Sequence, residues 1–262
     1  MADKNNVQSL FDLSARTAIV TGSGYGLGKY MAIGLSDAGA NVIVSGRSHD
    51  KLETTVNEIK DKGGTAAATV FDATRPQDCQ RLVDSAFDRF GGLDIMIINH
   101  GVVAVNTPQQ TTDEEWQHII EVNLSSCFYC ARAAGTRMIS QGRGGTIVMT
   151  SSNGSLVGFE GLSAYGASKG GVDQLCRQLA MEWGQHGIRV NTINPGYTEN
   201  PMGGRPRDTL TADVERAIKQ RTPLGRRGRV DEFIGPVLFL ASDASSFVSG
   251  HCLTVDGGYC IT

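Results

Sequence analysis

Tyr165 and Lys169 lie four residues apart in the segment YGASK. On a helix that spacing places both side chains on one face, an ammonium one turn from a phenol. Phenols ordinarily ionise near 10, too high for ready proton exchange at neutral pH, and a neighbouring cation favours the phenolate. Such a pair can move a proton; it is also a common surface pair with no chemical task. Glycines at 166 and 170 cost a helix up to about 1 kcal/mol each against alanine. They ask for a reason, and room for close packing of a ligand or a second helix is one.

A second stretch carries chemistry of another kind. VTGSGYGLGKYMAIGL (20–35) follows an apolar β-branched run and opens a helical pattern. Glycines there allow a tight turn and let backbone N–H groups approach a pyrophosphate at the helix N-terminus, where the dipole favours negative charge. Glycine-rich turns also serve plain packing. Placed after the first strand of an alternating chain, this one reads as a dinucleotide site.

The elements that must position these residues alternate. Strands are predicted at 16–22, 41–46, 64–72, 93–99, 145–152, 188–196 and 251–258, with longer amphipathic segments between them. In one of these, Leu52, Val56 and Ile59 recur at helical spacing. Thr112 and Glu115 stand at capping-box spacing, a helix-start signal. Strands apolar on both faces and separated by helices imply a parallel sheet covered on both sides. The expected fold class is α/β, a single doubly wound parallel sheet of about seven strands, with residues 1–262 as one domain. Residues 1–14 read as a polar tail. Segment 200–229 reads as an insertion over one sheet edge; its part from 203 onward holds eight Lys/Arg against three Asp/Glu.

With 40% apolar residues the chain can bury a large core, and a net charge of −3 gives no general attraction to nucleic acid or anionic membrane. The start of the chain has no signal-like apolar run, and no stretch is long enough to span a bilayer, so a soluble cytoplasmic protein is expected. Six scattered cysteines suit that compartment. Cys127 and Cys130 form a C-x-x-C, read as buried helix-face residues because no second pair or suitably spaced histidine completes a metal site. The sequons at Asn123 and Asn153 read as chance matches.

The spacing Thr21-Gly22-x-x-x-Gly26-x-Gly28 resembles the classical short-chain dehydrogenase/reductase family. So do Asn123 in EVNL, Ser152 thirteen residues before Tyr165, the Tyr165-x-x-x-Lys169 motif, NPG at 194–196, and the C-terminal PLGRRG and FLASDASSFVSGHCLTVDGG. The resemblance covers nearly the whole chain and implies a Rossmann-type fold with NAD(P)-dependent carbonyl reductase or alcohol/polyol dehydrogenase activity. It gives the catalytic set Asn123, Ser152, Tyr165 and Lys169. Tyr165 would exchange the proton of the substrate oxygen, Ser152 would hydrogen-bond that oxygen, Lys169 would hold the nicotinamide ribose, and Asn123 would hold a relay water. Cofactor contacts are expected from Gly22, Ser23, Tyr25, Gly26, Leu27 and Gly28. Asp72, Ala73, Asn99 and Gly101 would add the adenine and central contacts, and Pro195, Gly196 and Thr198 those at the nicotinamide end.

Gly46 stands where NAD-preferring members carry an acid, and Arg47 follows it, so NADP(H) is expected over NAD(H), with Ser45 or Ser48 assisting. Substrate is expected near Ser152, Asn153, Phe159, Glu160 and Tyr197, with Val103 and Leu162. Glu160 would suit a cationic or polyhydroxy substrate, or simply face solvent. Arg205, Arg207 and Arg216 would suit an acidic substrate or an acyl carrier, and a 3-oxoacyl carrier-protein reductase is the alternative reading. A catalytically silent NADP-binding sensor is the remote one. Two departures stand out: Ile98 and His100 replace the usual asparagine and alanine, and Asn200 replaces a threonine after the PG turn. His100 is expected to bond backbone, or else to serve the substrate or a proton relay. The broadly apolar helices around CFYCARAAGTRM and GGVDQLCRQLAMEW imply a homotetramer, or a dimer.

Overall fold

The computed structural model describes residues 6–199 and 212–262. Seven parallel strands form its centre: β1 (Thr17–Thr21), β2 (Asn41–Gly46), β3 (Thr65–Val70), β4 (Ile95–Ile98), β5 (Gly145–Thr150), β6 (Ile188–Pro195) and β7 (Cys252–Val255). They lie in one sheet, in the order 3-2-1-4-5-6-7. In register, Ala18, Ile19 and Val20 face Ile95, Met96 and Ile97 across the β1–β4 pair.

Alternation along the strands divides the core into two layers. Ile19, Ile43, Met96, Ile98, Ile147 and Met149 pack one face against α3 (Pro76–Phe90), α5 (Ser126–Gln141) and α6 (Ser163–Trp183). Ala18, Val20, Val42, Val44, Ile95 and Ile97 pack the other against α1 (Gly26–Asp37), α2 (His49–Asp61) and α8 (Ile234–Ala241). Because both faces are buried, every residue of β1 and β4 is buried. The remaining helices are α4 (Asp113–Ile120), joined to α5 by a π-turn at Glu121–Ser125, and α7 (Ala212–Arg221).

Local signals read from the sequence act as caps and turns. Thr112 accepts the N–H of Glu115 and starts α4. The Glu115 carboxylate turns instead to the Asn106 amide at 2.8 Å. The predicted tail ends earlier than residue 14: Val7–Phe11 forms a 3-10 turn, Leu13 is fully buried, and its N–H bonds the carbonyl of Ala38. All six cysteines are unpaired. Cys127 and Cys130 face the core, and burial pushes the Cys127 thiol up to about 11. Asn123 and Asn153 are buried, which closes both sequons to modification. Among the described residues no helix is long and apolar enough to cross a membrane.

The strand order reverses at β1. The chain runs outward through β2 and β3, then returns to β4 on the other side of β1. In sheets of this kind the helices diverge at that point and leave a crevice beyond the carboxyl ends of the strands. Gly22 leaves β1 at that edge and Asn99 leaves β4.

Candidate active site

A cavity of about 1000 Å³ occupies the crevice. Its floor is the glycine turn. Gly22 and Gly26 have φ of 63° and 58°, in the left-handed region that favours glycine. Gly28 is packed so closely that a Cβ there would collide with the Gly22 carbonyl and the Asn99 amide. Tyr25 precedes α1 without giving its helix a side-chain cap, so the first N–H groups of α1 are open toward the cavity. Asn99 fixes the turn from the β4 side, its amide donating to Gly22 O at 3.3 Å.

At the far end Gly46, Arg47, Ser48 and Lys51 line the wall. Ser48 begins α2 without a side-chain cap bond. Arg47 and Lys51 belong to none of the ion pairs among the described residues, and the Lys51 ammonium lies 5.1 Å over the Tyr25 ring. Asp72 and Ala73 face the same space. The Asp72 carboxyl is held below its ordinary value by the hydroxyl and N–H of Thr74, with Arg75 and Arg47 adding to this. An open helix terminus, a glycine cradle and two cations outside any ion pair among the described residues fit a phosphate-bearing dinucleotide.

At the opposite end Ser152, Tyr165 and Lys169 share the wall. Lys169 is 2% exposed; its Nζ donates to Thr150 O at 2.8 Å and sits 5.7 Å from the centre of the Tyr165 ring. Ser152 ends an extended segment, and its Oγ accepts the N–H of Gly154 at 3.0 Å. The nearest acceptor for its own hydrogen is Asn153 Oδ1 at 3.4 Å, a weak contact. Asn123 lies behind this wall, fully buried in the π-turn. Its carboxamide clamps both main-chain groups of Val102 at 2.8 and 2.9 Å and donates to Ser168 Oγ at 3.1 Å.

His100 departs from the expected backbone bond. Its Nδ1 lies 2.8 Å from Thr21 Oγ1 and its Nε2 2.6 Å from Ser126 Oγ. Ser126 spends its own hydrogen on Val122 O at 2.6 Å, so it accepts from Nε2–H. Thr21 Oγ1 already accepts the N–H groups of Asn99 and His100, so it donates to Nδ1. The neutral ring is thereby satisfied at both nitrogens and is a strut between β1 and α5. Burial first, and repulsion from Lys169 second, hold its pKa down to about 3, with Asp72 opposing.

In an unfolded chain histidine titrates near 6.5. The folded value is the lower one, so His100 contributes stability that is fully present above about 6.5 and lost as pH falls toward 3. Urea unfolding between about pH 7 and pH 4.5 should show the wild type losing more stability than His100→Ala. Equal slopes would contradict a ring held neutral.

The structure places several other expected site residues elsewhere. Ser23 is not on the cavity wall: its Oγ donates to Val20 O at 2.6 Å and its N–H bonds Ser45 O, tying β1 to β2. Gly28 is likewise a packing position. Tyr197 turns from the cavity into a cluster with Phe159 and Tyr259, ring centres 5.9 and 5.5 Å away. Burial and Tyr259 raise its pKa, which keeps the phenol neutral. Phe159 and Leu162 line a smaller neighbouring groove, Asn153 is buried, and Glu160 is an exposed loop carboxylate. Phe159 nevertheless stays near the chemistry, because a Cβ on Gly154 would lie 3.6 Å from both its ring and that of Tyr165. Val103 does line the cavity. Asn200, Arg205 and Arg207 lie outside the described residues.

Lys51, Thr150, His118 and Glu121 also line the cavity, and sequence reasoning passed over them. Only Lys51 left a signal, as a cation in the first turn of the helix that follows Arg47.

A family model described as enoyl-(acyl carrier protein) reductase matches residues 22–260. The chain is 36% identical to gluconate 5-dehydrogenase of Gluconobacter oxydans, over 97% of this chain and 98% of that protein. It is also 36% identical to cyclohexanol dehydrogenase of an Acinetobacter species, over 93% and 94%. The crystal structure of gluconate 5-dehydrogenase from Burkholderia cenocepacia, in complex with NADP and tartrate, superposes with a TM-score of 0.92. It is 33% identical and covers 98% of this chain and 100% of that one. Relatedness of this extent, running through the glycine turn and the Tyr165 helix alike, means that the chain belongs to the classical short-chain dehydrogenase/reductase family.

Proposed function

We propose that the protein is an NADP-dependent dehydrogenase that interconverts a secondary alcohol and its ketone on a polyhydroxylated or alicyclic substrate. Its relatives are alcohol and polyol dehydrogenases, and the chain is an oxidoreductase of that type. The observation that carries the reading is Ser152, Tyr165 and Lys169 on one wall of the cavity that begins at the glycine turn.

When bound, the nicotinamide supplies or accepts the hydride. The glycine turn and the α1 terminus would hold the pyrophosphate, and Lys169 the nicotinamide ribose. Tyr165 gives its proton to the substrate oxygen in reduction and takes it back in oxidation. The buried Lys169 Nζ stands 5.7 Å from the centre of the Tyr165 ring, beside the oxygen that exchanges this proton. Ser152, already accepting from Gly154, directs its O–H to the substrate oxygen and steadies the charge growing there. Asn123 uses most of its carboxamide as a clamp, and one lone pair of Oδ1 serves the relay water.

Part of the electrostatic support for the acyl-carrier alternative is taken up within the protein. Arg216, Arg226, Arg227 and Arg229 pair with Asp213, Glu232, Glu215 and Asp231 at 2.7–3.2 Å. Four of the eight cations of the basic segment are thus paired within the protein, and Arg205 and Arg207 lie outside the described residues. Following NADPH absorbance across aldonates and ketoaldonates, cyclic alcohols and ketones, and 3-oxoacyl thioesters tests the reading. Turnover confined to the thioesters would overturn it.

The same reading makes the protein a cytoplasmic homotetramer. Phe128 on α5 and Met181 on α6 are exposed, and a Cβ on Gly170 of α6 would meet nothing, leaving faces suited to a second subunit. Light scattering showing an active monomer would contradict this.

A further inference from the structure

Asp173 lies one turn beyond Lys169 on α6 and is 4% exposed. Its helix neighbours Val172 and Cys176 are fully buried core residues, and an apolar side chain would serve packing at 173 as well. Burying a carboxylate is costly unless donors compensate for the lost water. Here three neutral donors converge on it. Ser155 Oγ lies 2.6 Å and Asn194 Nδ2 2.9 Å from Oδ2, and Thr192 Oγ1 lies 3.0 Å from Oδ1.

Two of these donors also touch the main chain of Ser152. Ser155 Oγ is 2.7 Å and Asn194 Nδ2 3.3 Å from Ser152 O. A carboxylate is the stronger acceptor, so it draws the Ser155 hydrogen and one Asn194 hydrogen. The second Asn194 hydrogen is then shared between Ser155 Oγ at 2.9 Å and Ser152 O at 3.3 Å, and the Ser155 N–H bonds Ser152 O at 3.0 Å. The network joins α6, the end of β6 and the turn that carries Ser152.

We propose that Asp173 is a positioning residue for Ser152. Its carboxylate orders Ser155 and Asn194, and they fix the Ser152 main chain from behind, so that its hydroxyl meets the substrate oxygen in register with Tyr165. This rests on the role given to Ser152 above.

A double-mutant cycle with the intact protein tests it, read by single-turnover NADPH oxidation and by NADPH fluorescence titration. Ser152→Ala should lower turnover by about 10²–10³-fold. Asp173→Ala should lower it by about 10- to 100-fold through misplacement, with NADPH affinity within about twofold of wild type. Added to Ser152→Ala, Asp173→Ala should cost less than about threefold more, because both act through one group. Asp173→Asn should restore most of the turnover. Its amide oxygen can face Ser155 and Asn194 while its NH2 faces Thr192, whose hydrogen has Asn194 Oδ1 at 2.7 Å.

If Asp173→Ala does not fold, Ser155→Ala removes the hydroxyl through which Asp173 holds the turn that carries Ser152, and it carries the same cycle. A full-size additive loss on the Ser152→Ala background would overturn the proposal alone. Wild-type turnover in Ser152→Ala would overturn the role of Ser152 and the proposal with it.

Discussion

Tyr165→Phe should bind NADPH as the wild type does and turn over about 10²–10⁴-fold more slowly. The substitution removes only the hydroxyl. The residue is 7% exposed and its ring stays beside Gly154, so the helix and the cavity wall should be unchanged. What is lost is the proton that the substrate oxygen needs as the hydride arrives. Without it, an alkoxide must form against Ser152 and the Lys169 cation alone. Stopped-flow NADPH oxidation measures the loss, and fluorescence titration checks that binding is retained. A turnover near that of the wild type would remove Tyr165 from the chemistry.

Arg47→Ala should weaken NADPH about 10- to 100-fold, the cost of one charge-assisted bond to phosphate, and leave NADH nearly unchanged. Three features of the cavity argue for this. Gly46 ends β2 where a carboxylate would repel a 2′-phosphate, the α2 N-terminus is open, and Arg47 has no competing ion pair among the described residues. Lys51 stands on the same wall and should retain part of the preference, so the Arg47→Ala, Lys51→Ala double variant should discriminate least. Isothermal titration with both cofactors is the measurement. Equal losses for NADPH and NADH would make Arg47 an ordinary surface charge.

The sheet was legible because its strands are apolar on both faces and its helices are not. Segment 41–46 matches β2 residue for residue. The prediction at 251–258 overruns β7 because Gly257 and Gly258, with φ of 66° and 88°, turn the chain after Val255. Ser152, Tyr165 and Lys169, which the motifs singled out, lie on one wall of the cavity, since a strand end and one helical turn fix them locally. What the sequence could not show depends on partners distant along the chain. His100 meets Thr21 from 79 residues away, and Asp173 meets Asn194 from the next strand. Side-chain direction was equally hidden. Tyr197 lies between the wall residues Gly196 and Thr198, yet it turns outward to two other rings.

Hydride transfer between the nicotinamide and a carbonyl carbon is the central claim, and isotope transfer tests it most directly. The protein should be given a ketone it reduces, with NADPH carrying deuterium on one or the other face of C4, and the alcohol analysed by mass spectrometry. One labelled face should deliver a single deuterium to the carbinol carbon and the other none. Unlabelled alcohol from both cofactors would contradict the account.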